Sequence, residues 1–264
     1  MKTQQNRGQQ GFTLAELLVS STVFLLMAGA AFSLLGTSSQ RFKTDSQVLT
    51  SFQEARLGID QIARDIADAG FPPRSRFATA APATTLYAAG PFAWAGTTYP
   101  TTPCTVGGSC TTPTGFDMII ETDYGGTGAN AGVRWIRYQL AAGTTTTLFR
   151  ADIAKTGGNP DTLTGLALLP YLQNVMNNAS AAQITAIRGA YPSMFPGGNP
   201  VPMFTYTCDV VGGNPAPCTG ANNPADIRDV DIWLIVQSQS RDAKTNQLRL
   251  VELHGLGHRV NPNQ

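Results

Sequence analysis

Residues 12–35, FTLAELLVSSTVFLLMAGAAFSLL, form an apolar run long enough to cross a bilayer, and Glu16 is the one charge in it. A carboxylate in hydrocarbon costs several kcal/mol, so it is rare there unless it has a partner and a purpose. Cutting the chain between Gly11 and Phe12 would create such a partner. The new amino group of Phe12 would lie one helical turn from Glu16. Lys2 and Arg7 precede the run, and the positive-inside rule keeps them cytoplasmic and the bulk of the chain outside.

Gly11-Phe12-Thr13-Leu14-Ala15-Glu16, behind a short leader with Lys2 and Arg7 and ahead of an apolar run, resembles the class III signal of type IV prepilins and pseudopilins. The resemblance implies that a membrane prepilin peptidase cuts after Gly11 and methylates the amine of Phe12. It also implies that Glu16 serves filament assembly by meeting the Phe12 amine of a neighbouring subunit. Two other readings stand beside it. A secretory signal would use Leu14 to Met27 as its apolar region and Ala28-Gly29-Ala30 as its cleavage site, leaving Glu16 unexplained. A plain single-pass anchor would carry Glu16 incidentally, in the same orientation.

Past the membrane run the helical spacing continues. Phe52, Ala55, Ile59, Ile62, Ile66 and Ala69 recur at three- and four-residue steps, which is one face of an α-helix. Glu54, Asp60, Arg64, Asp65 and Asp68 fall off that stripe, and Asp60–Arg64 and Arg64–Asp68 have i,i+4 spacing for pairing on the wet side. Gly70-Phe71-Pro72-Pro73 ends the helix, because glycine suits the left-handed cap and the prolines cannot continue it. A helix from about Phe12 to Ala69 would be roughly 85 to 90 Å long at 1.5 Å per residue. It has no proline, and Gly29 and Gly36 are the weak points of its membrane half.

The organisation expected is a leader (1–11), a membrane or filament-core helix (12–35), its amphipathic continuation (36–70), an irregular Ala/Thr/Pro-rich connection (71–115) and an antiparallel sheet domain (116–264). Strand signals lie at Phe116 to Glu121, Val133 to Leu140, Thr147 to Arg150, Met203 to Cys208, Ile227 to Gln239 and Leu248 to Gly257. The second and third read as a hairpin, residues 163–177 as a helix or helical loop, and Ser240 to Asn246 as a polar turn. On Val133 to Leu140, alternation puts Ile136, Tyr138 and Leu140 on one face and Trp135 on the other. One sheet of about four to six strands would cover the stripe Phe52 to Ala69. The fold class is α+β.

Only 13% of residues are charged and the net charge is +1; losing Lys2 and Arg7 with the leader would make it −1. There is no electrostatic case for nucleic acid. The four cysteines fall as two close pairs, Cys104 with Cys110 and Cys208 with Cys218. Outside the cytoplasm two local disulfides are expected, each bracketing a Gly-containing loop, although four cysteines allow three connectivities. A four-thiolate zinc site fits less well, because the spacings exceed the usual two to four intervening residues.

No catalytic set, cofactor fingerprint or metal site stands out. His254 and His258 lie four apart with Glu252 near by, but on a strand they would be roughly 13 Å apart at 3.3 Å per residue, too far to share one ion. Asp152 to Asp161 lacks the EF-hand spacing. Asn178-Ala179-Ser180 is a chance-level glycosylation match.

The phrases ARLGIDQIARDIADAGF (Ala55 to Phe71), RYQL with TLFRAD (Arg137 to Asp152) and DVDIWLIVQSQSRD with LVELHGLGHRV (Asp229 to Val260) resemble the PilW and PulJ class of minor pilins. That resemblance implies a pilin-like fold, the long helix packed on an antiparallel sheet. It implies a low-copy, non-enzymatic subunit that helps start a type IV pilus or a type II secretion pseudopilus. Its partners would be other minor pilins, the major pilin, the prepilin peptidase and inner-membrane lipid, and it would move from a single-pass inner-membrane site into the filament. The alternative function is an anchored extracytoplasmic binding module, an adhesin or uptake subunit using the loops at 71–115 and 208–224.

Overall fold

The computed structural model describes residues 12–78, 82–125, 132–141, 146–161, 168–210, 213–242 and 246–260. One α-helix, α1, spans Leu14–Ala67. It is followed by β1 (Phe92–Ala93), β2 (Asp117–Thr122), β3 (Arg134–Leu140), β4 (Leu148–Ala154), β5 (Leu169–Leu172), a short helix α2 (Ala181–Arg188), β6 (Phe204–Cys208), β7 (Ala216–Pro217), β8 (Ile227–Arg241) and β9 (Leu248–His258). Among the described residues two antiparallel sheets form, in the orders β1-β2-β3-β4-β5 and β7-β6-β8-β9. A bridge between Val175 and Val236 joins them. The single sheet of four to six strands expected from the sequence is thus two sheets, because β2, β3 and β4 pair with one another while β6, β8 and β9 form a separate ladder; the short β1, β5 and β7 extend their edges.

The second half of α1 lies on both sheets. Ala55, Ile59, Ile62, Ile66 and Ala69 are buried, with Met118, Ile120, Ile136, Tyr138 and Leu140 of the first sheet and Val230, Ile232, Leu234 and Val236 of the second in the same cluster. Phe52, at the start of the stripe, is only half-buried. Each buried isoleucine contributes about 1.5–3 kcal/mol. Contact with β9 is close because two of its residues lack side chains: a Cβ on Gly255 would sit 2.1 Å from Ile59 Cγ2, and one on Gly257 2.5 Å from Ile66 Cδ1. The helix stops at Ala67 with Asp68 as C-cap, and Gly70 takes φ +87°, a left-handed turn only glycine adopts without strain.

Alternation on β3 puts Ile136, Tyr138 and Leu140 against α1 and Trp135 on the far face, where it packs with Ala93, Trp94, Tyr99 and Ile119. The stretch 71–115, expected to be irregular, therefore contributes a strand and covers the outer face of the first sheet. Residues 169–172 form β5 rather than part of a helix, since Leu148 to Arg150 of β4 offer it an open edge to pair with; residues 163–167 of that expectation lie outside the described residues. β8 runs on to Arg241, two residues past its expected end, and 243–245 of the expected turn are also outside. Asp65, expected on the wet side, is 1% exposed. Asp60, Arg64 and Asp68 are exposed, without an ion pair to one another.

Candidate functional site

Thr13 is the N-cap of α1, with extended dihedrals of φ −76° and ψ 149°. Its hydroxyl oxygen accepts the Glu16 N–H at 3.3 Å. In return Glu16 Oε2 accepts the Thr13 N–H at 3.0 Å and the Thr13 hydroxyl at 2.9 Å. This reciprocal capping box satisfies donors that every helix start leaves open. Glu16 therefore has a local reason to stand in an apolar run. The signal was present in the chain as Thr13-x-x-Glu16, the capping-box spacing, and was hidden by reading Glu16 for its charge alone. Phe12 precedes the cap and is 88% exposed; Gly11 and the leader lie outside the described residues. What the geometry offers is an acceptor at a helix N-terminus, beside the residue whose amine cleavage would release.

The first half of α1 is apolar, exposed and long enough to cross a membrane. Apolar exposure then continues past the run: Phe42, Leu49 and Leu57 are 76%, 61% and 68% exposed. Their spacing of seven and eight is close to two helical turns, so they form a stripe separate from the one that packs on the sheets. Leu57 opens into a groove of about 1100 Å³ between α1 and β4–β5, walled also by Arg64, Arg150, Asp152, Leu169 and Tyr171.

At the C-terminal end of α1 the disulfides are Cys104–Cys110 and Cys208–Cys218, with Cα separations of 5.0 and 4.9 Å. The first closed loop touches the segment just past the second. Val106 is 3% exposed and donates its N–H to the Asn222 carbonyl at 2.8 Å.

Two buried charge networks tie the first sheet to the segments that cover it and to α1. Glu121 on β2 accepts from the Ala89 N–H at 2.7 Å, Lys155 Nζ at 2.8 Å, Trp135 Nε1 at 3.2 Å and the Tyr99 hydroxyl. Both Glu121 and Lys155 side chains are 0% exposed. Burial pulls the Lys155 ammonium below its usual range, and Glu121 restores it only in part. The second network centres on Asp65 of α1, which accepts from Gln61 at 2.8 Å, Tyr138 at 2.6 Å, Tyr124 at 3.2 Å and Arg150 at 3.2 Å. Burial first, then the Asp65 charge, raises the Tyr138 phenol far above its usual value. Neither network was read from the sequence, where each member is an ordinary charge or aromatic on a different element.

His254 Nε2 lies 2.9 Å from Glu252 Oε1 and its ring is 4.7 Å from that of Trp233. His258 contacts Asp229 across the β8–β9 ladder. The two histidines are thus held by separate carboxylates. Among the described residues no group of three or more His, Cys, Asp or Glu side chains is placed to hold a metal.

Residues 6–32 match the family model of the prokaryotic N-terminal methylation motif. The match supports the type IV prepilin and pseudopilin class, whose motif family is structural rather than enzymatic, and with the apolar helix it is consistent with a single-pass membrane anchor. Searches of curated proteins and of solved structures each returned no match.

Proposed function

We propose that the chain is a minor pilin or pseudopilin of the PilW and PulJ kind. In this reading it is cut between Gly11 and Phe12, methylated on Phe12, stored in the inner membrane with its sheets in the periplasm, and drawn into a type IV pilus or a type II secretion pseudopilus at initiation. The observation that carries it is the methylation motif at residues 6–32 placed at the head of an exposed apolar helix. Two further features support it. Glu16 stands at the helix N-terminus, where a neighbour's Phe12 ammonium could replace the local Thr13 contacts. The stripe Phe42, Leu49 and Leu57 extends the apolar face available to other pilin helices beyond the length a bilayer needs.

The test separates processing from docking. The mature chain should begin at Phe12 with one added methyl by N-terminal mass; a start at Ala31 would mean a secretory signal, and an intact Met1 a plain anchor. Glu16→Val should still be cut yet fail to enter filaments on immunoblots of sheared pili or pseudopili. Incorporation at the wild-type level would end the docking role. The second reading, a binding module, draws on the contact between Val106, inside the loop closed by Cys104 and Cys110, and Asn222, in the segment that follows Cys218. It requires that deleting part of 208–224 abolish ligand contact while filaments persist.

A further inference from the structure

The end of the sheets nearest the apolar run carries a basic cleft. β9 runs beside α1 in the same direction: Arg249 pairs with Asp45 at 3.1 Å, Gly255 meets Ile59 and Gly257 meets Ile66. Positions before Arg249 therefore lie towards the head of α1. The Arg241–Leu248 pair, the last of the β8–β9 ladder, is the part of that ladder closest to the bilayer segment. Asp45 follows Leu35 by ten residues, about 15 Å at 1.5 Å per residue.

Positive charge gathers at this level. Arg41 is exposed one turn below Asp45 on the same helix face, and Lys43, Arg188, Arg241 and Arg249 are exposed as well. The carboxylates beside them are Asp45 and Asp242, both engaged by Arg249. Arg188 and Arg241 stand on the α2 side of the second sheet, and Arg41, Lys43 and Arg249 with Asp45 on its α1 side, so the basic charge borders this end of the sheet on both faces. Between the last turn of α2 and the hairpin lies a cavity of about 390 Å³, in the range of small-ligand sites, about 300–1,000 Å³. Met176, Ile187 and Leu248 make its apolar wall, and Gln183, Tyr191 and Arg241 its polar side. A guanidinium, a phenol and an amide over an apolar wall suit a phosphate ester attached to an apolar body.

We propose that this cleft binds the headgroup of an anionic phospholipid. Arg241 meets the phosphate, the apolar wall takes the glyceryl and first acyl carbons, and Arg41 and Lys43 add attraction from the helix. Held this way, the sheets lie down on the bilayer while the subunit is stored, and the contact is given up when α1 leaves the membrane. The proposal rests on the reading of residues 12–35 as the bilayer segment.

The full chain is reconstituted in vesicles of phosphatidylcholine alone and of mixtures up to equimolar phosphatidylcholine and phosphatidylglycerol, and amide hydrogen exchange is read at residues 186–191 and 246–250. Protection is expected to rise with phosphatidylglycerol and to stay low without it. Each basic residue near an anionic surface changes affinity roughly fivefold, so Arg41→Gln with Arg241→Gln should need roughly 25-fold more anionic lipid, with exchange in β3 unchanged as the check on folding. Equal protection in both vesicle types, or protection retained in the double variant, overturns the proposal. The same protection in neutral vesicles on adding inorganic phosphate would make this a free-phosphate site and also overturns it. Vesicle flotation run alongside separates the two failures: a chain that does not float has lost the bilayer reading, and one that floats without headgroup-dependent protection has lost only the cleft.

Discussion

Four donors converge on the Glu121 carboxylate, and three on Asp65 come from side chains of β3, β4 and the loop after β2. Each buried tyrosine that donates to one of these carboxylates is held as the neutral phenol. Burial first and the carboxylate second raise Tyr99 and Tyr138 far above the ordinary 10.0, and burial raises Tyr206 likewise. A raised folded value means the native state keeps protons that the unfolded chain gives up above pH 10.0. The stability these phenols contribute is therefore complete below that pH and lost as pH rises beyond it, by roughly 1.4 kcal/mol per pH unit for each phenol. Lys155 acts in the opposite sense: its lowered value makes stability rise with pH up to the ordinary 10.5. Urea midpoints measured across this range should thus fall steeply above pH 10, and Tyr138→Phe should remove one phenol's share of the fall. An unchanged slope in that variant would show that Tyr138 does not hold its proton for Asp65.

At the scale of elements, the packing of α1 on β9 depends on the absence of two side chains. A methyl on Gly255 would overlap Ile59 Cγ2 at 2.1 Å, while the next Ile59 atom, Cβ, is 3.6 Å away. Gly255→Ala should therefore cost about 1–3 kcal/mol by overpacking, and in an Ile59→Ala background most of that added cost should vanish, because the one clashing atom is gone. A thermal-unfolding double-mutant cycle checks this; strictly additive costs would mean the helix and strand do not meet there. The periodicity of Ala55, Ile59, Ile62, Ile66 and Ala69 was legible as a helix face, and the alternation in β3 and β8 as strands, since a repeating apolar pattern is local information. Gly255 and Gly257 were legible only as a strand's end, because what they make room for lies nearly two hundred residues away in the chain. β5 was misread for a related reason: Leu169-Pro170-Tyr171-Leu172 has no alternation of its own and becomes a strand through the open edge of β4. Asp65 was placed on the wet face by helical spacing, which counts positions and does not see the tyrosines that come from β3 and the loop after β2.

Over the whole molecule the two ends are built differently. Towards the apolar run, α1 meets the sheets through the Arg249–Asp45 pair, whose side chains are 46% and 59% exposed; a contact so open to water is worth about 1 kcal/mol or less. At the other end the close of α1, the outer cover of the first sheet and the loops around Cys104 and Cys208 are tied by Gly70 N–H to Glu121 carbonyl at 2.7 Å, Val106 to Asn222, and the two disulfides. In the proposed function, that arrangement suits a subunit whose far end holds its shape while the end nearest the apolar run is released. Bridging loops with sequence separations of 6 and 10 should stabilise the fold by about 2–3 kcal/mol each, mainly by restricting the unfolded chain. Cys208→Ser with Cys218→Ser should lower the urea midpoint accordingly. Hydrogen exchange should rise first around 208–226 and 104–110, because Val106 docks on Asn222 just past Cys218, and the α1 core from Ala55 to Ile66 should keep its protection. Equal loosening of that core would mean the bridge supports the whole sheet pair rather than the far end, and exchange confined to 208–226 would mean the Val106 contact does not couple the loops.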